Sequence, residues 1–217
     1  MDRIELILVD HPPHRRTSKK LDLSLRRILP KVVLFFSIFI LSFHLFPFSP
    51  VIQRLTDGLE TREETIREIL TVLDRYPMGL TTGAKEELAR VIYEESNRYN
   101  HDPKFILALI ATESSFQNWS VSERGAKGLM QIMPYVAESI AHEMGIEWRG
   151  DRTLFNPYLN IRIGVYYLSR LTVDFNDTPT ALTAYNYGPT YVKSLMERKE
   201  RIPFEYYRKI LNVYWKL

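Results

Sequence analysis

The sequence predicts a mainly α-helical protein whose globular part is preceded by a single N-terminal transmembrane helix. Apolar residues recur at intervals of three and four positions through residues 83–217, which is the period of amphipathic helices. No segment alternates apolar and polar residues as a half-buried strand does, and no internal repeat is present. Residues 32–52 contain no Lys, Arg, Asp or Glu, and a strongly basic segment precedes them.

The basic character of the chain is confined to residues 1–31. That segment carries a net charge of +4, whereas the whole chain carries +3 with a pI near 9.0, so residues 32–217 carry −1. A nucleic-acid-binding domain needs a basic face, and we therefore expect no nucleic-acid partner. The chain contains no cysteine, which excludes disulfides and a lipid-modified cysteine anchor.

The uncharged segment 32–52 is long enough to cross a bilayer as a helix. Seven Lys and Arg residues lie in the twenty positions before it and three in the twenty after it. The positive-inside rule then predicts a cytoplasmic tail, residues 1–31, and an external part, residues 53–217. A cleaved signal peptide is the alternative, but the N-terminal region is long and no small-residue cleavage site follows. We predict an uncleaved signal anchor.

Residues 53–82 are predicted to form a stalk and a docking helix. Thr61 and Glu64 have the spacing of a capping box, and Pro77 and Gly79 are predicted to end the helix. An apolar stripe along this helix is expected to pack on the domain that follows; a self-associating stalk is the alternative. The stripe consists of Ile66, Ile69, Leu70 and Leu73.

Residues 83–217 are predicted to form one α-helical domain around a single core. The clearest helix start is Asp102 as N-cap followed by Pro103 at the first helical position. The predicted helices are 84–99, 103–114, 134–145, 157–174, 178–187, 190–199 and 204–215.

Glu113 is the residue whose position most strongly indicates chemistry. Ile106, Leu109, Ile110 and Glu113 follow helical spacing, so the carboxyl should share the stripe that faces the core. Burial disfavours the charged carboxylate, and so does the helix dipole at this carboxyl-terminal end. Both effects are expected to raise the pKa of Glu113 toward that of a general acid near neutral pH. A frayed helix end with Glu113 in solvent is the alternative.

Two polar clusters are expected to lie near this carboxyl. Residues 122–131 contain Ser122, two glycines and Gln131, and residues 181–189 contain Tyr185 and Asn186 before a Gly-Pro pair. Amides suit hydroxyl and acetamido groups, and aromatic rings suit the apolar faces of sugars. The residue types therefore favour a sugar ligand.

Taken in order, these motifs resemble the catalytic domain of soluble-lytic-transglycosylase type, glycoside hydrolase family 23, over about residues 87–215. The resemblance implies a lysozyme-like fold of the goose type and cleavage of peptidoglycan. The matching residues are Glu113-Ser114, Gly128-Leu129-Met130-Gln131, Asn156-Pro157, Asn160-Ile161, Gly164, Tyr167-Leu168 and Ala184-Tyr185-Asn186.

The resemblance also implies roles for individual residues. Glu113 would be the only catalytic acid and base, with Ser122 near it and near the substrate acetamido group. Met130 and Gln131 would line the glycan groove.

Three further residues would complete the site by the same resemblance. Tyr185 would hydrogen-bond or orient the catalytic carboxyl, Asn186 would bind sugar, and Tyr206 is the best match to a tyrosine that closes the groove. The segment before Tyr206 is shorter than the family pattern, and Tyr187 stands where a small residue is most common.

The implied reaction is non-hydrolytic cleavage of the β-1,4 bond between N-acetylmuramic acid and N-acetylglucosamine, with closure of a 1,6-anhydro ring. It needs no metal or cofactor, and His142-Glu143 lacks the second His of a metalloprotease helix. Peptidoglycan strands would be the substrate and the inner membrane the location, with the domain in the periplasm or the equivalent wall space. Division or secretion machinery of the envelope is a possible partner. The alternatives are a muramidase acting on the same bond and a non-catalytic peptidoglycan-binding scaffold.

Overall fold

A computed structural model describes residues 28–38 and 50–217 of the chain, which separates into two compact units, residues 1–57 and 58–217. In the first unit, residues 28–38 form helix α1, and all of its side chains are exposed. The predicted transmembrane segment 32–52 is helical over 32–38, and its residues 39–49 lie outside the described residues. Within residues 28–38 and 50–217, no helix is both long and apolar enough to cross a bilayer.

The second unit is built from helices, so the mainly α prediction is confirmed. Helix α2 spans Pro50–Asp74 and belongs to this unit from Gly58 onward. The described part of the chain contains isolated β-bridges at Val121, Lys127 and Ile132 but no β-strand. The remaining helices are α3 Thr82–Arg98, α4 Pro103–Ser114, α5 Pro134–Glu143, α6 Asp151–Leu154, α7 Pro157–Phe175, α8 Thr178–Tyr187, α9 Pro189–Glu197 and α10 Glu205–Tyr214.

Local sequence signals explain most of the helix boundaries. The Asp102 side chain accepts a hydrogen bond from the Lys104 amide at 2.8 Å, and α4 begins at Pro103 as predicted. The Asn156 side chain caps α7 in the same way by accepting from the amides of Tyr158 and Leu159. Helix α6 was not predicted, because its four residues are too few to show an apolar period.

Helix α7 lies at the centre of the domain, where it packs against α3, α5, α6 and α8, while α10 packs against α4. Gly164 in α7 is a point of close approach. A Cβ atom added there would lie 2.4 Å from the Met130 sulfur, so the absent side chain makes room for Met130. The loop that carries Met130 is therefore seated directly on the central helix.

Helix α2 differs from the prediction at its start and agrees with it in its packing. The helix begins at Pro50, so Thr61 and Glu64 lie inside it and do not form a capping box. From Gly58 onward its apolar stripe packs into the core: Ile66, Ile69 and Leu73 are at most 5% exposed. The Lys85 ammonium group holds the carboxyl-terminal end of α2 by hydrogen bonds to the Leu73 carbonyl at 3.2 Å and the Asp74 carboxylate at 3.0 Å. Residues 58–74 are therefore an integral part of the domain.

The loop before α5 is fixed by a fully buried amide. Asn160 accepts a hydrogen bond from the Met130 amide at 2.8 Å and donates to the carbonyls of Lys127 at 3.1 Å and Leu154 at 2.9 Å. Gly128 lies against this amide with φ +81°, and a Cβ atom added there would be 2.2 Å from the Asn160 nitrogen. The backbone conformation and the contact both require glycine.

We expect Gly128→Ala to destabilise the protein much more than Gly125→Ala. Gly125 has a similar φ of +86° but has no atom within 4 Å of an added Cβ, so it measures the backbone cost alone. That cost is about 1 kcal/mol, and overpacking against Asn160 should add about 1–3 kcal/mol at position 128. Urea denaturation followed by circular dichroism measures both losses. Equal losses would show that the Asn160 contact does not constrain the loop.

Candidate active site

The Glu113 carboxyl lies in the last turn of α4, partly buried and beside α10. Burial raises its pKa from 4.5 to about 7, against the opposing effects of a hydrogen bond from Tyr206 and the positive charge of Lys209. The expected rise in pKa is thus confirmed, and desolvation is its cause. The donor is the Tyr206 hydroxyl, which is itself buried and whose own pKa lies well above the usual range.

The chain turns sharply after Glu113. Ser115 and Phe116 both adopt left-handed backbone conformations, with φ of +52° and +62°. The Ser114 hydroxyl donates to the Leu129 carbonyl at 2.8 Å and lies 3.3 Å from the Ile110 carbonyl. This hydrogen bond of Ser114 therefore links the end of α4 to the loop of residues 127–131.

The 127–131 loop is held from three sides. Ser114 binds its Leu129 carbonyl, Asn160 binds its Met130 amide, and the Tyr185 hydroxyl donates to the Met130 carbonyl at 2.7 Å. Gln131 adopts φ +48° and its side-chain amide donates to the carbonyls of Ser120 and Gly128. Because its backbone and side chain are both restrained, Gln131 presents a fixed face to the cavity beside Glu113.

A cavity of about 490 Å³ opens in front of the Glu113 carboxyl. This cavity opens into a groove of about 780 Å³ between α5, α7 and the start of α9, and several residues line both. Exposed rings line the groove, with Tyr187 and Tyr191 packed at a centroid distance of 5.7 Å. The smaller cavity is lined by Glu113, Ser122, Glu123, Arg124, Ala126, Gln131, Met133, Tyr185, Asn186 and Tyr187.

Most residues singled out from the sequence converge on this cavity. Glu113, Ser122, Gln131, Tyr185 and Asn186 line it. Their surroundings differ, since Asn186 is exposed whereas the Ser122 hydroxyl accepts a hydrogen bond from the Ala126 amide at 2.9 Å. Ser122 is therefore engaged in closing a turn at the rim.

Three of the expected placements need correction. The Met130 side chain does not line the groove, because it is fully buried against Gly164. The Tyr185 hydroxyl donates to the Met130 carbonyl and the hydrogen bond to Glu113 comes from Tyr206, so of the two roles expected for Tyr185 only the orienting one stays a prediction. Tyr206 is only 8% exposed and lines neither the cavity nor the groove, so it supports the carboxyl by a hydrogen bond and does not close the groove.

Sequence reasoning missed two features of the site. Glu123 is not among the residues that the motifs indicate, yet this exposed carboxylate is part of the cavity lining. Asn160 was noted only as part of a motif, although a polar side chain on the buried stripe of α7 signals an internal hydrogen-bonding role. The Asp151 carboxylate, by contrast, pairs with the Lys127 ammonium at 2.6 Å.

The sequence that forms this site matches a known protein family. The family model described as "Transglycosylase SLT domain" matches residues 90–207, more than half of the chain. The chain belongs to the transglycosylase SLT domain family. This match includes Glu113 at the end of α4, the loop 127–131 and the Tyr185-Asn186 pair. The resemblance seen in the ordered motifs is confirmed.

Two curated relatives carry the name "Membrane-bound lytic murein transglycosylase C". The one from Shigella sonnei is 34% identical over 62% of this chain, and the one from Sodalis glossinidius is 32% identical over 70%. The aligned region of this chain spans 40% and 45% of their lengths, respectively. A solved structure of lytic transglycosylase Slt from Pseudomonas aeruginosa, an inactive mutant, is 27% identical with a TM-score of 0.49. The aligned region covers 75% of this chain and 27% of the Slt chain.

We expect Tyr206→Phe to raise the pKa of Glu113 above its value of about 7. The hydroxyl stabilises the ionised carboxylate, so its removal leaves desolvation less opposed. The matched control is Tyr185→Phe, which deletes a hydroxyl bound to the Met130 carbonyl and should change this pKa less. The titration can be followed through the ¹³C shift of the Glu113 side-chain carboxyl. An unchanged or lower pKa in Tyr206→Phe would contradict the assigned hydrogen bond.

Proposed function

We propose that this protein is a peptidoglycan lytic transglycosylase in which Glu113 is the single catalytic acid and base. The observation that carries the proposal is a desolvated carboxyl with a pKa of about 7, facing a cavity lined largely by neutral polar and aromatic groups. Such a group holds its proton near neutral pH and can also release it. Membership of the transglycosylase SLT domain family and the names of the curated relatives support the same activity.

The proposed reaction cleaves the β-1,4 bond between N-acetylmuramic acid and N-acetylglucosamine. Protonated Glu113 gives its proton to the bridging oxygen as the bond to C1 breaks, and the substrate's own acetamido oxygen stabilises C1. The resulting Glu113 carboxylate then takes the proton of the C6 hydroxyl, whose oxygen closes the 1,6-anhydro ring on C1. No water is consumed, and Glu113 ends protonated as it began, with the proton of the C6 hydroxyl in place of the one it gave away. Substrate assistance replaces a second carboxylate.

The shape of the site fits a glycan strand. The cavity at Glu113 continues into a groove of about 780 Å³, and exposed Tyr135, Tyr187 and Tyr191 line it. Aromatic faces pack on the apolar faces of sugar rings, and Asn186 offers its amide to hydroxyl or acetamido groups. Gln131, whose amide nitrogen already donates to two carbonyls, offers its oxygen. We propose that strands lie along this groove with the scissile bond beside Glu113.

A muramidase is the alternative function, and one observation favours it. Glu123 is an exposed carboxylate in the cavity that also contains Glu113. An inverting hydrolase uses a second carboxylate to activate water on the face of the sugar opposite the general acid. Glu123 is the residue that would take this role if water attacked C1.

We expect the full chain to release anhydro products from purified peptidoglycan, each lighter by one water molecule than the matching hydrolysis product. Glu113→Gln keeps the shape of the side chain but cannot transfer a proton, so it should bind glycan and release no product. Mass spectrometry of the soluble fraction distinguishes the two product types.

Glu123→Gln is the matched control, because it changes the other cavity carboxyl in the same way. Anhydro products at near-normal rate from Glu123→Gln would support a single-carboxyl mechanism. Reducing ends that disappear in Glu123→Gln would instead identify a muramidase. Retained glycan binding without release by any of the three proteins would favour the scaffold alternative.

We propose that residues 32–52 anchor the domain in the inner membrane, with residues 1–31 in the cytoplasm and residues 53–217 in the periplasm or equivalent wall space. The uncharged segment and its basic N-terminal flank support this topology.

We expect the full chain to require detergent for extraction and a chain lacking residues 1–52 to become soluble. Extraction of the full chain by salt alone would contradict the anchor. The proposal that division or secretion machinery of the envelope is a partner depends on this location.

A further inference from the structure

The segment just before the family region takes part in the framework of the active site. The family match begins at residue 90, yet residues 58–89 contribute Ile69, Leu73 and Leu88 to the same core as the site, each at most 2% exposed. Met78, beyond the end of α2, is also buried. The segment between α2 and α3 therefore packs into the same hydrophobic core as the helix that carries Glu113.

Tyr76 makes the contact that links this segment to the end of α4. Its ring packs on Phe116 with a centroid distance of 4.3 Å and an interplanar angle of 39°. The backbone on both sides of Tyr76 is held in place, because its amide donates to the Leu73 carbonyl and its carbonyl accepts from the Met78 amide. Tyr76 is thus fixed against α2 when it covers Phe116.

Phe116 is held in a conformation that its side chain does not favour. Its φ is +62°, a left-handed value that bulky residues rarely adopt, and it follows Ser115 at φ +52°. The Phe116 side chain is only 1% exposed, so packing keeps the backbone in this state. These two residues turn the chain directly after Glu113 and Ser114, and they fix where the last turn of α4 ends.

We propose that Tyr76 is a positioning residue for the Glu113 carboxyl and acts through the left-handed turn at Ser115 and Phe116. Without the ring of Tyr76, Phe116 loses part of its cover and the turn can relax toward ordinary backbone conformations. The last turn of α4 then loosens and water gains access to the carboxyl. The activity readout of this inference rests on the proposed function, whereas its titration readout does not.

The test compares Tyr76→Leu with Tyr76→Phe in the solubilised full chain. Tyr76→Leu keeps apolar bulk but removes the ring, and we expect the pKa of Glu113 to fall from about 7 toward 4.5 as the carboxyl gains water. The kcat on peptidoglycan should fall roughly tenfold or more with little change in KM, because the acid is misplaced while the groove remains. Tyr76→Phe keeps the ring and should restore both values.

Tyr99→Leu is the matched control for a general loss of stability. Tyr99 and Tyr166 form another ring pair, at a centroid distance of 5.6 Å and joining α3 to α7. We expect this variant to lower the melting temperature to a similar extent and to leave the pKa of Glu113 unchanged.

The outcomes separate this inference from the proposed function. A lower melting temperature in Tyr76→Leu with an unchanged pKa and kcat would overturn the positioning role, and so would an equal pKa change in Tyr99→Leu. If the wild-type chain releases no product, the proposed function fails, and the ¹³C titration of Glu113 in the three variants still decides the role of Tyr76.

Discussion

The rest of the site depends on the removal of one carboxyl from water. Glu113 ends a helix whose preceding turns are buried, and it is placed where both desolvation and the helix dipole oppose its charge. The folded protein keeps this proton up to a pH of about 7, whereas the unfolded chain releases it near 4.5. The tighter binding of this proton by the folded protein stabilises it against unfolding. This contribution is fully present below pH 4.5 and is lost as the pH rises through 7. A proton donor at neutral pH is therefore gained at the expense of folding stability.

The side chains that hold the loop beside this carboxyl are neutral and already hydrogen-bonded. Asn160, Tyr185 and Ser114 each bind the backbone of the loop 127–131, so the loop cannot turn aside to solvate Glu113. Only the Tyr206 hydroxyl donates directly to the carboxyl among the hydrogen bonds of the described residues. These side chains fix the geometry of the loop without adding a charge, whereas the positive charge of Lys209 lowers the pKa of Glu113.

The sequence predicted the features that depend on neighbours along the chain. Asp102 and Pro103 define the start of α4 by local hydrogen bonding and a fixed φ, and the position of Glu113 follows from helical spacing. Features that depend on tertiary packing were not predictable. Nothing local states whether Tyr185 or Tyr206 reaches Glu113, since both come from distant helices. The spacing of Thr61 and Glu64 suits a helix interior as well as a cap, and only the fold decides between them.

The hydrogen bond from Tyr206 has a chemical consequence for a residue that must act twice. In the proposed mechanism Glu113 first gives a proton and then takes one, and a change in pKa that helps one step hinders the other. Desolvation alone would make the carboxyl a weak acid that holds its proton too firmly for the first step. The Tyr206 hydroxyl stabilises the carboxylate and limits the rise. Burial, one neutral donor and the positive charge of Lys209 together therefore set a compromise, whereas a cation paired directly with the carboxyl would shift it toward permanent ionisation.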